Sequence, residues 1–297
     1  MEARETTATP QSQHRFRQAI IALTVASVLL GSGFFIYHKT FLSSVTLVPQ
    51  KVVAAASSKP PSPSSAAIAT LNSQITGLLA QHPELDMSVS VTDIANHQSY
   101  HYGESAPFVA ASTAKLLTAS LYLHQVEAGQ VDLDDLVGND TARNQLQQMI
   151  EVSDNGAWEA LNTVLGHPAL KEFAAAHGLT SYDPDDNTLT SNDVALLLSQ
   201  LYQKQLLNAE HTQFLLNLMQ NANKTDYIVA TIPSGVTVYH KAGWLDDRVH
   251  DAAIIDNHTH PYVLVIFTKT VDGSAYDETA GQALFHGITS ATLHTFN

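Results

Sequence analysis

From Ile68 to Gln81 the apolar positions Ile68, Leu71, Ile75, Leu78 and Leu79 recur at the spacing of one helical face. The period then changes. MSVSVTDI, Met87 to Ile94, alternates like a half-buried strand, and Gln98 to Tyr102 predicts its hairpin partner across Ala95, Asn96 and His97. A long stretch of helical period follows, from Ser112 to about Asn221. Three further strands are expected at Val236 to Lys241, Val249 to Asp256 and Tyr262 to Lys269, with a turn at Asn257 to Pro261 between the last two. Tyr276 to Leu293 predicts a terminal helix. This order implies an α/β protein of the α+β sandwich kind. Both chain ends would form one antiparallel sheet, flanked by helices, with an all-helical insert between them.

The N-terminal third of the pattern is different. Ala19 to Tyr37 is an uncharged run of 19 residues, long enough for about one membrane crossing. Arg15 and Arg17 stand just before it, which predicts a cytoplasmic N-terminus. A cleaved signal peptide is the rival reading, but the run ends in Phe34, Phe35, Ile36 and Tyr37 rather than in a small-residue cleavage site. Ala54 to Ala67 is rich in Pro and Ser and predicts an extended spacer. The expected organisation is a tail at 1–18, a transmembrane anchor at 19–37, a linker at 38–66 and one globular domain at 67–297. That domain would lie on the extracytoplasmic side of the cell membrane.

Composition narrows the chemistry. The 297 residues include no cysteine, so disulfides, thiolate metal sites and a cysteine nucleophile are excluded. The first 66 residues hold six basic and two acidic side chains, so the rest carries eight basic against 26 acidic, a net charge of −18. Such a body is a poor partner for nucleic acid, which needs clustered Lys and Arg. His250, His258 and His260 lie close together, but without an H-E-x-x-H pattern they do not predict a zinc site, and no metal or cofactor is expected.

Three short stretches carry candidate chemistry. In FVAASTAKLL, Phe108 to Leu117, Ser112 and Lys115 are three residues apart among small apolar residues. On a helix they share a face, and a lysine desolvated by its neighbours can serve a serine hydroxyl as base. The plain alternative is a helix cap with a lysine reaching outward to water. In MIEVSDNGAW, Met149 to Trp158, Ser153 and Asn155 flank Asp154, which could simply cap the next helix. In YHKAGW, Tyr239 to Trp244, Lys241 is expected to end a strand, and Gly243 would admit a close backbone approach.

S-x-x-K, S-D-N and K-T-G together mark class A β-lactamases and penicillin-binding proteins. The chain carries STAK, SDN and KAG in that order. From about Ala67 to Asn297 it therefore resembles the serine β-lactamase and penicillin-binding superfamily, class A most closely. The resemblance implies Ser112 as acylated nucleophile and Lys115 as its general base or the partner of that base. It implies Ser153 as proton relay and Asn155 as a hydrogen bond to a substrate amide. Lys241 would supply positive potential, and the Ser112 and Trp244 N–H groups an oxyanion hole. The implied partner is a β-lactam or a peptidoglycan stem peptide, met by a monomer.

Three departures bear on that expectation. The family's deacylating glutamate has no counterpart in His177 to Asp193, where only Asp183, Asp185 and Asp186 follow the helical stretch before Asn192. Ala242 removes a hydroxyl that would hold a substrate carboxylate, leaving Arg248 either as a substitute contact or as a surface charge. The short segment between STAK and SDN implies a reduced cleft wall and a larger, polymeric substrate. Acylation with doubtful release is the resulting expectation; a non-catalytic binder of wall peptide on the same fold is the alternative.

Overall fold

The computed structural model describes residues 61–296. The anchor reading for 19–37 and the linker up to residue 60 lie outside the described residues. Among those described, no helix is long and apolar enough to cross a membrane.

The first helix, α1 (Ser65–Ala80), starts two residues earlier than the expected domain boundary because the Ser64 hydroxyl accepts from the Ala67 N–H. Strands β1 (Leu85–Asp93) and β2 (Gln98–Gly103) form the expected hairpin. The chain then enters the helical insert and returns as β7 (Thr237–Leu245), β8 (Arg248–Asp256) and β9 (Tyr262–Thr270), closing with α8 (Glu278–Phe296). The sheet order is β2-β1-β9-β8-β7, antiparallel throughout, so both chain ends do build one sheet.

Strand β9 is central and buried on both faces, which explains its unbroken apolar sequence. Tyr262, Leu264 and Ile266 join the core under α1 and α8, while Val263, Val265 and Phe267 join the core under the insert. The insert contributes α2 (Lys115–Glu127), α3 (Ala142–Glu151), α4 (Asn155–Leu165), α5 (His167–Ala176), α6 (Ser191–Tyr202) and α7 (Ala209–Gln220).

Two small ribbons interrupt the expected all-helical insert. They are β3 (Phe108–Val109) paired with β6 (Thr188–Leu189), and β4 (Leu136–Val137) paired with β5 (Asp140–Thr141). Two-residue strands have no readable period. A second correction concerns β7, which does not stop at Lys241. It runs on to Leu245 and turns through Asp246 and Asp247 into β8, so Lys241 sits in mid-strand.

Candidate active site

Ser112 stands in a 3-10 turn, Ala111–Ala114, which leads directly into α2 at Lys115. Thr113 ties the turn back on itself, its N–H and hydroxyl both donating to Ala110 O at 3.1 and 2.7 Å. Just before Ser112, Ala111 has φ +49°, a left-handed conformation that typically costs about 1–3 kcal/mol in a non-glycine residue. Asn187 braces it. Its Nδ2 donates to Ala111 O at 3.2 Å, and its carbonyl accepts from the Ala110 N–H at 2.8 Å.

A second brace comes from the sheet. His250 is fully buried, and desolvation pushes its pKa down to about 4, so the ring is neutral and carries one N–H. Its Nε2 lies 3.0 Å from Val109 O, while Nδ1 lies 2.8 Å from Val249 O and 3.2 Å from the Thr268 N–H, so the ring's single proton serves one of two carbonyls.

Gly243 brings β7 against the turn. A Cβ on this residue would lie 2.8 Å from Ser112 N, 3.0 Å from Thr113 N and 3.1 Å from Ala110 O. Only glycine lets the strand pass so near the nucleophile's backbone.

Both lysines are fully buried, so neither the outward-reaching Lys115 nor a solvated Lys241 describes the molecule. Lys115 Nζ donates to Ser153 O (2.7 Å), Ser153 Oγ (3.3 Å) and Asn155 Oδ1 (2.7 Å). It also lies 5.3 Å from the Trp158 ring centroid. Among the described residues its Nζ has no hydrogen bond to Ser112, although the Lys115 N–H donates to Ser112 O at the end of the turn. Lys241 Nζ donates to Ser153 Oγ (3.0 Å) and Ala242 O (2.9 Å). Desolvation lowers the Lys115 pKa to about 8, with Asp154 opposing the shift. Desolvation and then the charge of Lys115 lower Lys241 to about 7, against the pull of Asp251. Thus STAK, SDN and KAG, far apart in sequence, meet on the Ser153 hydroxyl.

Ser153 itself has φ +64° and is 9% exposed. Asp154 is the N-cap of α4, accepting from the Ala157 N–H at 2.7 Å, so its capping reading holds.

The remaining candidates spread outward. Ala242 is 1% exposed and offers no hydroxyl. Trp244 is 37% exposed, with Lys224 Nζ 5.1 Å from its ring. Arg248 is already held by the neighbouring Asp247 through two hydrogen bonds of 2.7 and 2.6 Å. It lines a separate cavity of about 410 Å³ with Glu104, Phe108 and Lys269. Asp183 accepts from the Asp185 and Asp186 N–H groups at 2.9 and 3.4 Å, and Asp185 pairs with His167 at 2.7 Å. Those backbone bonds hold the Asp183 pKa below the usual carboxylate range. Asp183 is thus engaged by its own loop and Asp185 by His167 of α5.

Of the loop histidines, His258 is exposed, whereas His260 is buried and bonds Asp93 at 2.9 Å. Among the described residues no group of three or more His, Asp or Glu is arranged to hold a metal ion.

Three features carried no local signal in the sequence. Asn187 and His250 brace the nucleophile turn from elements distant in sequence. His240 and Asp251 form a buried pair at 3.0 Å beneath Lys241, with Asp251 also accepting from the Ile228 N–H at 3.2 Å. Only the turn-forming D-D-N run hinted at a left-handed Asn187 (φ +51°).

Residues 70–296 match the model of a family described as the beta-lactamase enzyme family. The fold aligns with the solved structure of PBP-A at a TM-score of 0.71 and 22% identity, over 80% of this chain and 98% of that one. A PBP-A variant solved as an acyl-enzyme complex with penicillin G aligns at 0.69 and 23% identity, over 77% and 97%. A β-lactamase from Xanthomonas campestris aligns at 0.69 and 20% identity, over 78% and 99%. At these identities the solved structures establish a shared fold. No curated protein matches the sequence.

Proposed function

Since the chain belongs to the beta-lactamase enzyme family, we propose that it is a serine hydrolase acylated at Ser112 by a β-lactam or a cell-wall stem peptide, and slow to release the acyl group. The carrying observation is the convergence of Lys115 and Lys241 on Ser153 Oγ, at 3.3 and 3.0 Å. A hydroxyl oxygen has two lone pairs and one proton. Two amines donating to those lone pairs leave the Ser153 O–H free to donate to a substrate.

The chemistry then runs as acyl transfer. Lys115 in its neutral form exchanges one of its bonds for the Ser112 hydroxyl and takes its proton. Ser112 Oγ forms a bond to the substrate carbonyl carbon, and the negative charge on the carbonyl oxygen rests on the Ser112 and Trp244 N–H groups. Collapse breaks the C–N bond. Ser153 gives its proton to the leaving nitrogen and is reprotonated by Lys115, whose Nζ is in hydrogen-bond contact with it. Lys241, when charged, attracts the substrate carboxylate, and Asn155 holds its amide. Hydrolysis of the ester needs a base for water; Asp183 and Asp185 are engaged by other partners, and Asp186 is exposed. The PBP-A variant trapped with penicillin G shows that this fold can hold such an ester.

We place the domain outside the cell membrane on a single-pass anchor at 19–37, reading the apolar run and the two preceding arginines as in a membrane protein.

Intact-protein mass spectrometry of the full chain with benzylpenicillin tests the proposal. The expected result is a persistent penicilloyl adduct that is absent in Ser112→Ala. Rapid turnover with no lasting adduct overturns slow release. Neither adduct nor product, together with saturable muropeptide binding that survives Ser112→Ala, replaces the enzyme with a binder.

A further inference from the structure

Away from Ser112, a groove of about 500 Å³ runs between the edge strand β2 and helix α6. One wall is the helix face of Asn192, Leu196, Gln200 and Gln203. These residues fall on successive turns, where side chains three or four apart lie about 5–6 Å from one another. The facing wall carries His97, Ser99 and His101, the last two on one side of β2.

The lining has no Lys or Arg. Its one carboxylate, Asp193, is already engaged by the Ser181 N–H and hydroxyl at 2.8 and 2.6 Å. Phosphate, sulfate and carboxylate ligands therefore find no Lys or Arg to pair with here. Hydrogen-bonding capacity, by contrast, is plentiful. Asn192 has its Oδ1 filled by the Ser90 hydroxyl at 2.7 Å, but its Nδ2 has no partner among the described residues. Gln205 gives Nε2 to Gln203 Oε1 at 3.5 Å and keeps its own carbonyl open. Gln200 donates to His177 O at 3.1 Å and leaves its Oε1 buried without a donor. At the centre Leu196, 37% exposed, offers one apolar patch.

We propose that this groove binds a neutral oligosaccharide. The ligand chemistry that answers such a lining is a chain of hydroxyl and amide groups, uncharged, with apolar ring faces. Amides on either side of the apolar Leu196 suit a chain that alternates polar groups with apolar ring faces, and the volume falls in the range of ordinary ligand pockets, ~300–1,000 Å³. This site shares no residue with the acylation machinery and does not depend on it.

Saturation-transfer NMR on the full chain in detergent micelles, with chitotriose and maltotriose as neutral probes and a sulfated trisaccharide as control, provides the test. Transfer to a neutral probe is expected, retained in Ser112→Ala and weakened at least tenfold by Leu196→Arg, which fills the groove without removing a hydrogen bond. Should that variant unfold, as judged by its Tm, the pair of half-buried Gln203→Ala with exposed Gln205→Ala takes its place, with the same loss expected. Absence of transfer to either neutral probe overturns the proposal. So does transfer indifferent to these substitutions, or equal transfer to the sulfated control.

Discussion

Replacing Gly243 by Ala tests whether the closeness of β7 to the nucleophile turn is what positions Ser112. The added methyl carbon would stand 2.8 Å from Ser112 N and 3.0 Å from Thr113 N, whereas ordinary contact begins near 3.4 Å. All three nearest atoms belong to the backbone, so no rotamer change relieves the overlap. The turn or the strand must retreat by about 0.6 Å, and packed interiors resist such shifts. Overpacking of this kind typically costs about 1–3 kcal/mol of stability, a Tm drop of roughly 3–10 °C for a domain of this size. Catalysis should suffer more. A misplacement of about 1 Å can cost ~10²-fold, and weakening one oxyanion donor costs ~10²–10³-fold. Acylation of the full chain by a fluorescent penicillin, followed by stopped flow, should slow by about 10²-fold. Gly77→Ala is the control, since a Cβ there meets nothing within 4 Å. An acylation rate for Gly243→Ala within threefold of the parent, in a folded protein, would refute the reasoning.

Other perturbations read separate parts of the same site. Lys241→Met should slow acylation yet raise the Tm at pH 6. A buried amine lowered from 10.5 to about 7 is charged in both folded and unfolded chains at that pH and carries its full desolvation penalty, on the order of 3–5 kcal/mol; the advantage should shrink as pH rises from 7 toward 10, and a variant no more stable than the parent at pH 6 would contradict it. Acylation by benzylpenicillin should peak between about pH 7 and 8, because neutral Lys115 appears as pH rises through about 8 while Lys241 loses its charge through about 7; a rate flat from pH 6 to 9 excludes both roles. Asp251→Asn strips the buried His240 of its counter-charge and should destabilise by roughly 3–5 kcal/mol. Because His240 is raised above 6.5 by Asp251 despite its burial, the pair's contribution is full below pH 6.5 and fades at higher pH, so urea unfolding should show a larger loss at pH 5.5 than at pH 8. Asp183→Ala should leave the acyl-enzyme lifetime unchanged, since that carboxylate caps its own loop; a lifetime lengthened tenfold would make it the missing base.

The sheet was legible because its strands are long and alternate, and β9 because a strand covered on both faces reads as one apolar run. The candidate site was legible only as three motifs, since a serine, a lysine and an asparagine each have ordinary uses on helices and strands. What the sequence does not display is the non-local support. Asn187 reaches Ala111 across 76 residues, and His250 reaches Val109 across 141. Neither contact has a period or a turn code. The β3–β6 ribbon next to Asn187 is two residues long, too short for any alternation to appear, and His250 lies on β8 of the main sheet. Gly243 reads from the sequence as a point of close backbone approach, and in β7 it is one, against the nucleophile turn; only the strand's continuation past Lys241 to Leu245 differs from the expectation.

On the proposed reading, in which acylation outpaces release, the charge arrangement around Lys115 supplies the reason. Two ammonium groups share one hydroxyl, and repulsion between them is part of what lowers Lys241. A carboxylate hydrogen-bonded to Lys115 would relieve that repulsion and could also activate water. Here the lysine's acceptors are instead a carbonyl, a hydroxyl and an amide, all neutral. Neutral acceptors stabilise the ammonium less than a carboxylate does, so desolvation prevails and the amine loses its proton near pH 8, within reach of a general base. Among the described residues that arrangement bonds no carboxylate to Lys115. On the proposed reading, the feature that makes Lys115 able to start the reaction is thus the one that withholds the group needed to finish it, and placing a carboxylate next to Lys115 would trade base strength for release.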